Sequence, residues 1–318
     1  RVVERPFGDR HPIAPRTQVT MLVALMLGLM IPFVVFFLRR FFDTTVHGRR
    51  DVEKFTTIPI LGEVPHGQPG TGESEIIVSK QNDDVLTEAF RMLRTNISFM
   101  SIDNPVQVIM FTSSVPHSGK TFISTNLALM LASSNKRVLL IDLDLRRRTL
   151  TKQMEQRNNR RGMTSLLTGK IDSLAEAISK SNINDKLDII YAGPQPPNPA
   201  ELLMSKRIEN IIEELRTMYD YIIIDSVPAM AVADALIADR FVDLSVFVIR
   251  QGKLDRNLLP DIELLNSEKK LHNMSVILNN VTYAKHGYGY GYGYYSDEEL
   301  PKRVRMWHKF KKLFKKRK

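Results

Sequence analysis

No cysteine occurs anywhere in the 318 residues. That excludes disulfides, thiol catalysis and thiolate metal sites together, and it fits a reducing compartment. No acidic residue occurs from Lys302 to Lys318, where ten of the residues are Lys or Arg. Everything before that segment balances, 35 basic against 35 acidic residues, so the net charge of +10 belongs to a tail. A neutral body argues against a nucleic-acid-binding face on the fold, and no nucleic-acid partner is expected. The third absence is of charge from Thr20 to Leu38, a run of nineteen residues bounded by Arg16 and by Arg39 with Arg40.

A helix of that length spans roughly 28 Å, close to a hydrocarbon core of about 30 Å. The run is too uniformly apolar for a core helix and no small-residue cleavage site follows it, so residues 19–38 are expected to cross a membrane. Residues 1–18 are then an extracytoplasmic remnant. The chain opens on Arg1 within a proline-punctuated stretch (Pro6, Pro12, Pro15) and is expected to continue a longer parent. Residues 39–82 read as a juxtamembrane linker, rich in turn formers such as Pro59, Gly62, Pro65 and Pro69. Residues 83–282 read as the main domain, 283–296 as a tyrosine-rich tail, and 297–318 as a basic amphipathic C-terminus.

Within 83–282 a helical stretch, Asp83 to Met100, precedes apolar runs at Val106–Phe111, Val138–Ile141, Leu187–Tyr191, Tyr221–Ile224, Leu244–Ile249 and Ser275–Leu278. Runs apolar on both faces and separated by helices predict a doubly wound, mostly parallel α/β sheet. The first run leads into Ser114-Val115-Pro116-His117-Ser118-Gly119-Lys120-Thr121 and a helix from Phe122. This is the strand, loop and helix context of a phosphate-binding loop. Pro116 through Phe122 would surround the nucleotide, Lys120 would reach the β and γ phosphates, and Thr121 would bind Mg²⁺. Ser114 and His117 stand where glycines would bend more easily.

Two further runs end in carboxylates, Asp142-Leu143-Asp144-Leu145-Arg146 and Asp225-Ser226-Val227-Pro228. The C-terminal ends of strands are where open α/β sheets bind ligands, and carboxylates there can hold Mg²⁺. One such Asp could be a helix cap, but three converging on one crevice are harder to assign that way.

Together these segments resemble the Walker A, A′ and B motifs of the bacterial tyrosine kinases of capsule and exopolysaccharide export, which are fused to polysaccharide chain-length regulators. The resemblance extends to Ile58–Pro65, to Gly193–Leu203 (GPQPPNPAELL) and to the tyrosine-rich ending. The external domain of the regulators is absent here. Partitioning and septum-site ATPases share the fold but carry a lysine where this chain has Val115. The resemblance implies a P-loop kinase domain, ATP and Mg²⁺ as cofactors, and tyrosine autophosphorylation. It implies Asp142 as acceptor of the phenol proton and Asp144 near the metal with Thr121 and Asp225, although spacing does not separate the two roles. Asn279 is a candidate for contacting adenine. A catalytically weak nucleotide-dependent scaffold and a partitioning-type ATPase remain as alternatives.

Of nine tyrosines, six lie between Tyr283 and Tyr295, and Tyr288, Tyr290, Tyr292, Tyr294 and Tyr295 form a Gly-Tyr strip. Alternating glycine cannot build a packed core. The strip reads as low-complexity tail, as a stacking platform, or, beside a kinase site, as phosphoacceptors. Glu88, Arg91 and Arg94 match the family's subunit-contact motif, which implies a homo-oligomeric ring phosphorylating in trans. Phe310, Leu313 and Phe314 at helical spacing among cations suit anionic lipid. Phosphotyrosine charge would offset the basic tail and loosen both ring and tail. The remaining implied partners are the polysaccharide export and polymerisation machinery and a phosphotyrosine phosphatase. The expected location is the bacterial inner membrane with the kinase domain in the cytoplasm.

Overall fold

Alternating apolar runs and helices in this chain build an eight-stranded sheet in the computed structural model, which describes residues 17–67, 85–100, 105–154 and 161–282. The elements below belong to the unit Arg1–Val281; a second unit, Thr282–Lys318, lies almost wholly outside the described residues. The strands are β1 (Ile60–Pro65), β2 (Val108–Thr112), β3 (Val138–Asp142), β4 (Ile178–Lys180), β5 (Leu187–Ile190), β6 (Tyr221–Asp225), β7 (Leu244–Arg250) and β8 (Met274–Val281). The helices are α1 (Thr17–Phe41), α2 (Arg49–Phe55), α3 (Val85–Met100), α4 (Lys120–Ala132), α5 (Thr149–Gln153), α6 (Met163–Leu167), α7 (Leu174–Ala177), α8 (Pro199–Met204), α9 (Lys206–Met218), α10 (Asp234–Ala238) and α11 (Leu259–Ser267).

The order β1-β8-β7-β2-β6-β3-β5-β4 is parallel throughout except for β4, which runs antiparallel to β5 at the edge. Alternation along each strand sends residues to two cores. In β2, Val108 and Met110 join one core while Ile109 and Phe111 join the other. Burying each such side chain contributes roughly 1.5–3 kcal/mol, so the central strands are held from both faces. Helix α4 is buried nearly all round because α3 covers its outer side, with Phe90 and Phe122 packed edge to face at 5.9 Å. The amphipathic α3 buries Leu86, Phe90, Leu93 and Ile97. It comes close enough to β1 that a Cβ on Gly62 would lie 2.6 Å from the Leu93 side chain.

Several boundaries differ from the sequence expectation. Segment 39–82, expected as a linker, supplies both α2 and the edge strand β1, which pairs with β8 in parallel. The boundary drawn at 83 therefore falls inside the folded domain. Prolines 59 and 65 suggested turns, but an edge strand tolerates proline, and the Pro59 carbonyl accepts from Val276 N at 2.9 Å. The loop helix begins at Lys120, two residues before the expected start. The apolar helix runs Thr17–Phe41, and its Gln18–Arg39 stretch is long and apolar enough to cross a membrane, with its apolar side chains exposed.

Candidate active site at the C-terminal ends of the strands

The loop from β2 to α4 makes its turn with two left-handed residues. Gly119 has φ 93° and His117 φ 60°. Gly119 must be glycine for a second reason, since a Cβ there would lie 2.0 Å from Asn279 Nδ2. That amide donates to Ser118 O at 2.8 Å, so Asn279 pins the loop from β8. Ser113 Oγ and Ser118 Oγ each donate to Val115 O at 2.8 Å, drawing the loop together from inside. Ser114 has no positive φ, so the missing first glycine carries no backbone strain there; the glycine-like conformation falls on His117 instead.

Parallel pairing brings the carboxylates together. Asp142 at the end of β3 stands opposite Asp225 at the end of β6, and Asp225 also faces Phe111 in β2, one residue before the strand gives way to the phosphate loop. Thr121 Oγ1 donates to Asp225 Oδ2 at 2.6 Å. Asp225 Oδ1 is buried and has no hydrogen-bond partner. Burial pushes the Asp225 carboxyl up to about 7, with the Thr121 hydroxyl and Lys120 opposing and Asp144 adding to the rise. Burial lowers the Lys120 ammonium, partly offset by Asp225 and Asp144.

Asp142 and Asp144 occupy different settings. Asp142 is fully enclosed; it accepts from Thr151 N at 2.9 Å, from Thr151 Oγ1, and from Asp144 N at 3.2 Å. Burial and then the neighbouring Asp225 push its carboxyl up to about 8. Asp144 accepts from Arg147 N at 2.8 Å and Thr149 Oγ1 at 3.3 Å, and it reaches an open cavity of about 580 Å³. Arg146 makes a two-point ion pair with buried Asp234 at 2.7 and 2.9 Å, which anchors the loop after β3.

The same cavity is lined by Pro116, His117, Gly119, Lys120, Thr121, Phe122 and Asn279, all singled out from the sequence. Ser118, Asp142 and Asp225 lie behind the lining rather than on it. Arg147, Lys152 and Arg250 also line it. Sequence reasoning passed over these three because a single cation near a strand end carries no spacing signature. With Lys120 they bring four cationic side chains to face one wall carboxylate, Asp144, which suits a polyanionic ligand.

The residues fit Mg²⁺ in the manner of a shared site. Among the described residues no group of three His, Cys, Asp or Glu could hold a metal unaided. Mg²⁺ instead takes one or two carboxylates and completes its shell with water and nucleotide phosphates. Thr121, Asp144 and Asp225, the residues expected to hold Mg²⁺, would fit that donor set, and Asp225 Oδ1 is an acceptor left without a protein donor.

Arg91 Nη1 pairs with Glu88 Oε2 at 2.9 Å, and Arg94 Nη1 donates to Ser134 Oγ near the end of α4. The trio named for subunit contact is thus engaged within the chain. Tyr288, Tyr290, Tyr292, Tyr294 and Tyr295, and the basic segment 297–318, lie outside the described residues.

A lysine-bearing turn at a helix start, a hydroxyl beside it and carboxylates at neighbouring strand ends define a P-loop nucleotide-binding protein. A family model described as an AAA domain matches residues 106–246. The chain is 36% identical over 214 residues to tyrosine-protein kinase YwqD of Bacillus subtilis, covering 67% of this chain and 89% of that protein. It is 31% identical over 300 residues to tyrosine-protein kinase ptk of Acinetobacter johnsonii, covering 91% of this chain and 40% of that one. The solved kinase domain of Escherichia coli tyrosine kinase ETK matches with a TM-score of 0.66 at 31% identity, over 78% of this chain and 100% of that domain. The chain belongs to the bacterial tyrosine-protein kinase family. It spans 40% of the length of the Acinetobacter relative.

Proposed function

We propose that this chain is the membrane-anchored catalytic part of a tyrosine autokinase, transferring the γ-phosphoryl group of ATP to tyrosines of the C-terminal strip. The observation that carries this reading is the buried, unpartnered Asp225 Oδ1 beside Thr121 and Lys120, with a cation-rich cavity opening in front of them. Amides at the start of α4 and Lys120 hold the phosphates. Thr121, Asp225 and Asp144 hold Mg²⁺, which when bound neutralises charge developing on the phosphoryl oxygens. The phenol oxygen bonds to the γ-phosphorus as the bond to the β-γ bridging oxygen breaks, and ADP leaves. A carboxylate near the phenol helps because tyrosine ionises only near pH 10 in water. Of the Asp142 and Asp144 pair, Asp144 lines the cavity and can touch either metal or phenol. Asp142 accepts the Asp144 amide from below and acts by holding that loop.

The helix Gln18–Arg39 anchors the chain in the bacterial inner membrane, with the kinase domain in the cytoplasm where ATP is found. Assembly into a ring through Glu88, Arg91 and Arg94, phosphorylation in trans, and control of capsule or exopolysaccharide synthesis are what the family resemblance implies. The polysaccharide machinery, an anionic leaflet for the basic tail and a phosphatase complete that picture. The test uses the full chain in detergent micelles with Mg-ATP and detection of phosphotyrosine. Signal is expected from the native chain, none from Lys120→Met, and none from a variant with Tyr288 to Tyr295 replaced by Phe. Mixing the two silent variants restores labelling if transfer is in trans. Phosphate release without tyrosine labelling would contradict the autokinase.

A further inference from the structure

His117 holds a left-handed backbone (φ 60°) where a phosphate-binding loop would be served more cheaply by glycine. A conformation of this kind persists only where its surroundings over-determine it. Two cations from the end of the neighbouring strand β7 and the turn after it meet that turn. Arg250 Nη1 donates to His117 O at 3.1 Å, while Lys253 Nζ donates to Pro116 O at 2.9 Å and to His117 O at 3.4 Å. In a trans peptide the carbonyl and the following N–H point in opposite directions. Holding the carbonyls of Pro116 and His117 toward the two cations therefore turns the amides of His117 and Ser118 away from them.

The platform that carries these cations is itself fixed. Arg250 ends β7, and Gln251 N donates to Asn279 O at 3.0 Å, next to the side chain that pins Ser118. On the opposite side the segment that follows α1 closes the loop: Val46 N donates to Leu254 O at 2.8 Å, Gly252 N to Val46 O at 2.9 Å, and Arg256 N to Thr44 O at 2.8 Å. Leu254 and Val46 are both buried in the same core. Burial, and then the charge of Arg250, lower the Lys253 ammonium.

We propose that Arg250 and Lys253 are positioning residues of the phosphate loop: they clamp the carbonyl oxygens of Pro116 and His117 and so hold, on a histidine, the left-handed turn that glycine would adopt unaided. This rests on reading the loop as an ATP site. It also explains how a loop with neither of its expected extra glycines keeps a binding shape.

The test is a double-mutant cycle read as the Kd for Mg-ATP on the full chain in detergent micelles. Arg250→Met with Lys253→Met is expected to weaken binding about tenfold, the factor set by the preference of an L residue against this conformation. With His117→Gly already in place, the same pair of changes is expected to cost clearly less, about threefold, because glycine enters the turn freely and only the charge that Arg250 lends the cavity wall is then lost. Lys253→Arg alone is expected to retain native affinity, and the thermal midpoint of the paired variant to stay within about 2 °C of native, since surface substitutions of this kind seldom alter stability. An equal loss in both backgrounds would show that the cations act on the phosphates directly and would overturn the clamp, as would no loss in either. Native chain that fails to bind Mg-ATP would overturn the site itself, and the clamp with it.

Discussion

Asp225 ends β6 and Asp243 immediately precedes β7, the two strands that flank β2, so they stand at opposite ends of one sheet, and the fold treats them differently. Asp243 accepts from Gln107 N at 2.9 Å and Val108 N at 2.7 Å, and takes a two-point bond from Arg216 at 2.9 and 2.8 Å. Burial alone would raise its carboxyl, but the Arg216 guanidinium and the two amides outweigh it and hold the group below the usual range. Asp225 is more deeply buried, receives one hydroxyl, keeps one oxygen without a donor, and is held up near 7. A carboxylate whose donors all come from the fold is architecture. One left short of donors at the ligand end of the strands has an acceptor that a bound cation could use, as proposed for Asp225.

The largest expected effect separates these two residues. Asp225→Asn should lower phosphotyrosine labelling at least about 100-fold, the scale of losing one electrostatic contact to a transferring group, with no loss of thermal stability. Asp243→Asn should leave labelling within about threefold of native but cost about 2 kcal/mol in denaturant unfolding, as a charge-assisted bond network is weakened. Equal loss of activity in both variants at unchanged stability would break the comparison. Next in size is Gly119→Ala. The added methyl meets the Asn279 side chain at 2.0 Å and forces an alanine to φ 93°, so Mg-ATP affinity should fall about tenfold, a cost of the order expected for a strained left-handed residue. Native affinity in that variant would mean that the loop is not held as described.

The smallest effect is one of pH. Asp142 and Asp225, held up to about 8 and about 7, keep protons that the unfolded chain releases near pH 4. Stability without metal should therefore decline as pH rises from about 4 to about 8. Asp243, held low, works in the opposite sense, and its contribution is lost only as pH falls below the ordinary carboxylate range. In EDTA the chain should melt lower at pH 8 than at pH 6, and Mg-ADP should remove most of the difference by favouring the ionised carboxylates. A melting temperature that is flat over that interval would sever the link between burial and cation demand.

What could be seen in the sequence was what periodicity and strand ends reveal. Six apolar runs marked six strands to within a few residues, and Lys120, Asp142 and Asp225 were recognisable because each follows such a run. β1 was hidden by Pro59, Gly62 and Pro65, residues that mark turns in most settings and here serve an edge strand and a close helix contact. β4, three residues long and half-exposed, has too short a period to be seen. The division between Asp142 and Asp144 was invisible because two residues along a chain say nothing about which side chain the loop after β3 turns into the cavity. Arg250 and Lys253 approach the phosphate loop from more than 130 positions away, a proximity that only the parallel crossover creates.

The most direct test is the Mg²⁺ dependence of ATP binding in the native chain and in Asp225→Asn. Adding Mg²⁺ should tighten ATP at least about tenfold in the native chain, the gain expected when a buried carboxylate acquires its missing partner, and should leave the Asp225→Asn affinity unchanged. Equal tightening in both would contradict the assignment of Asp225 as the group that holds the cation against the nucleotide.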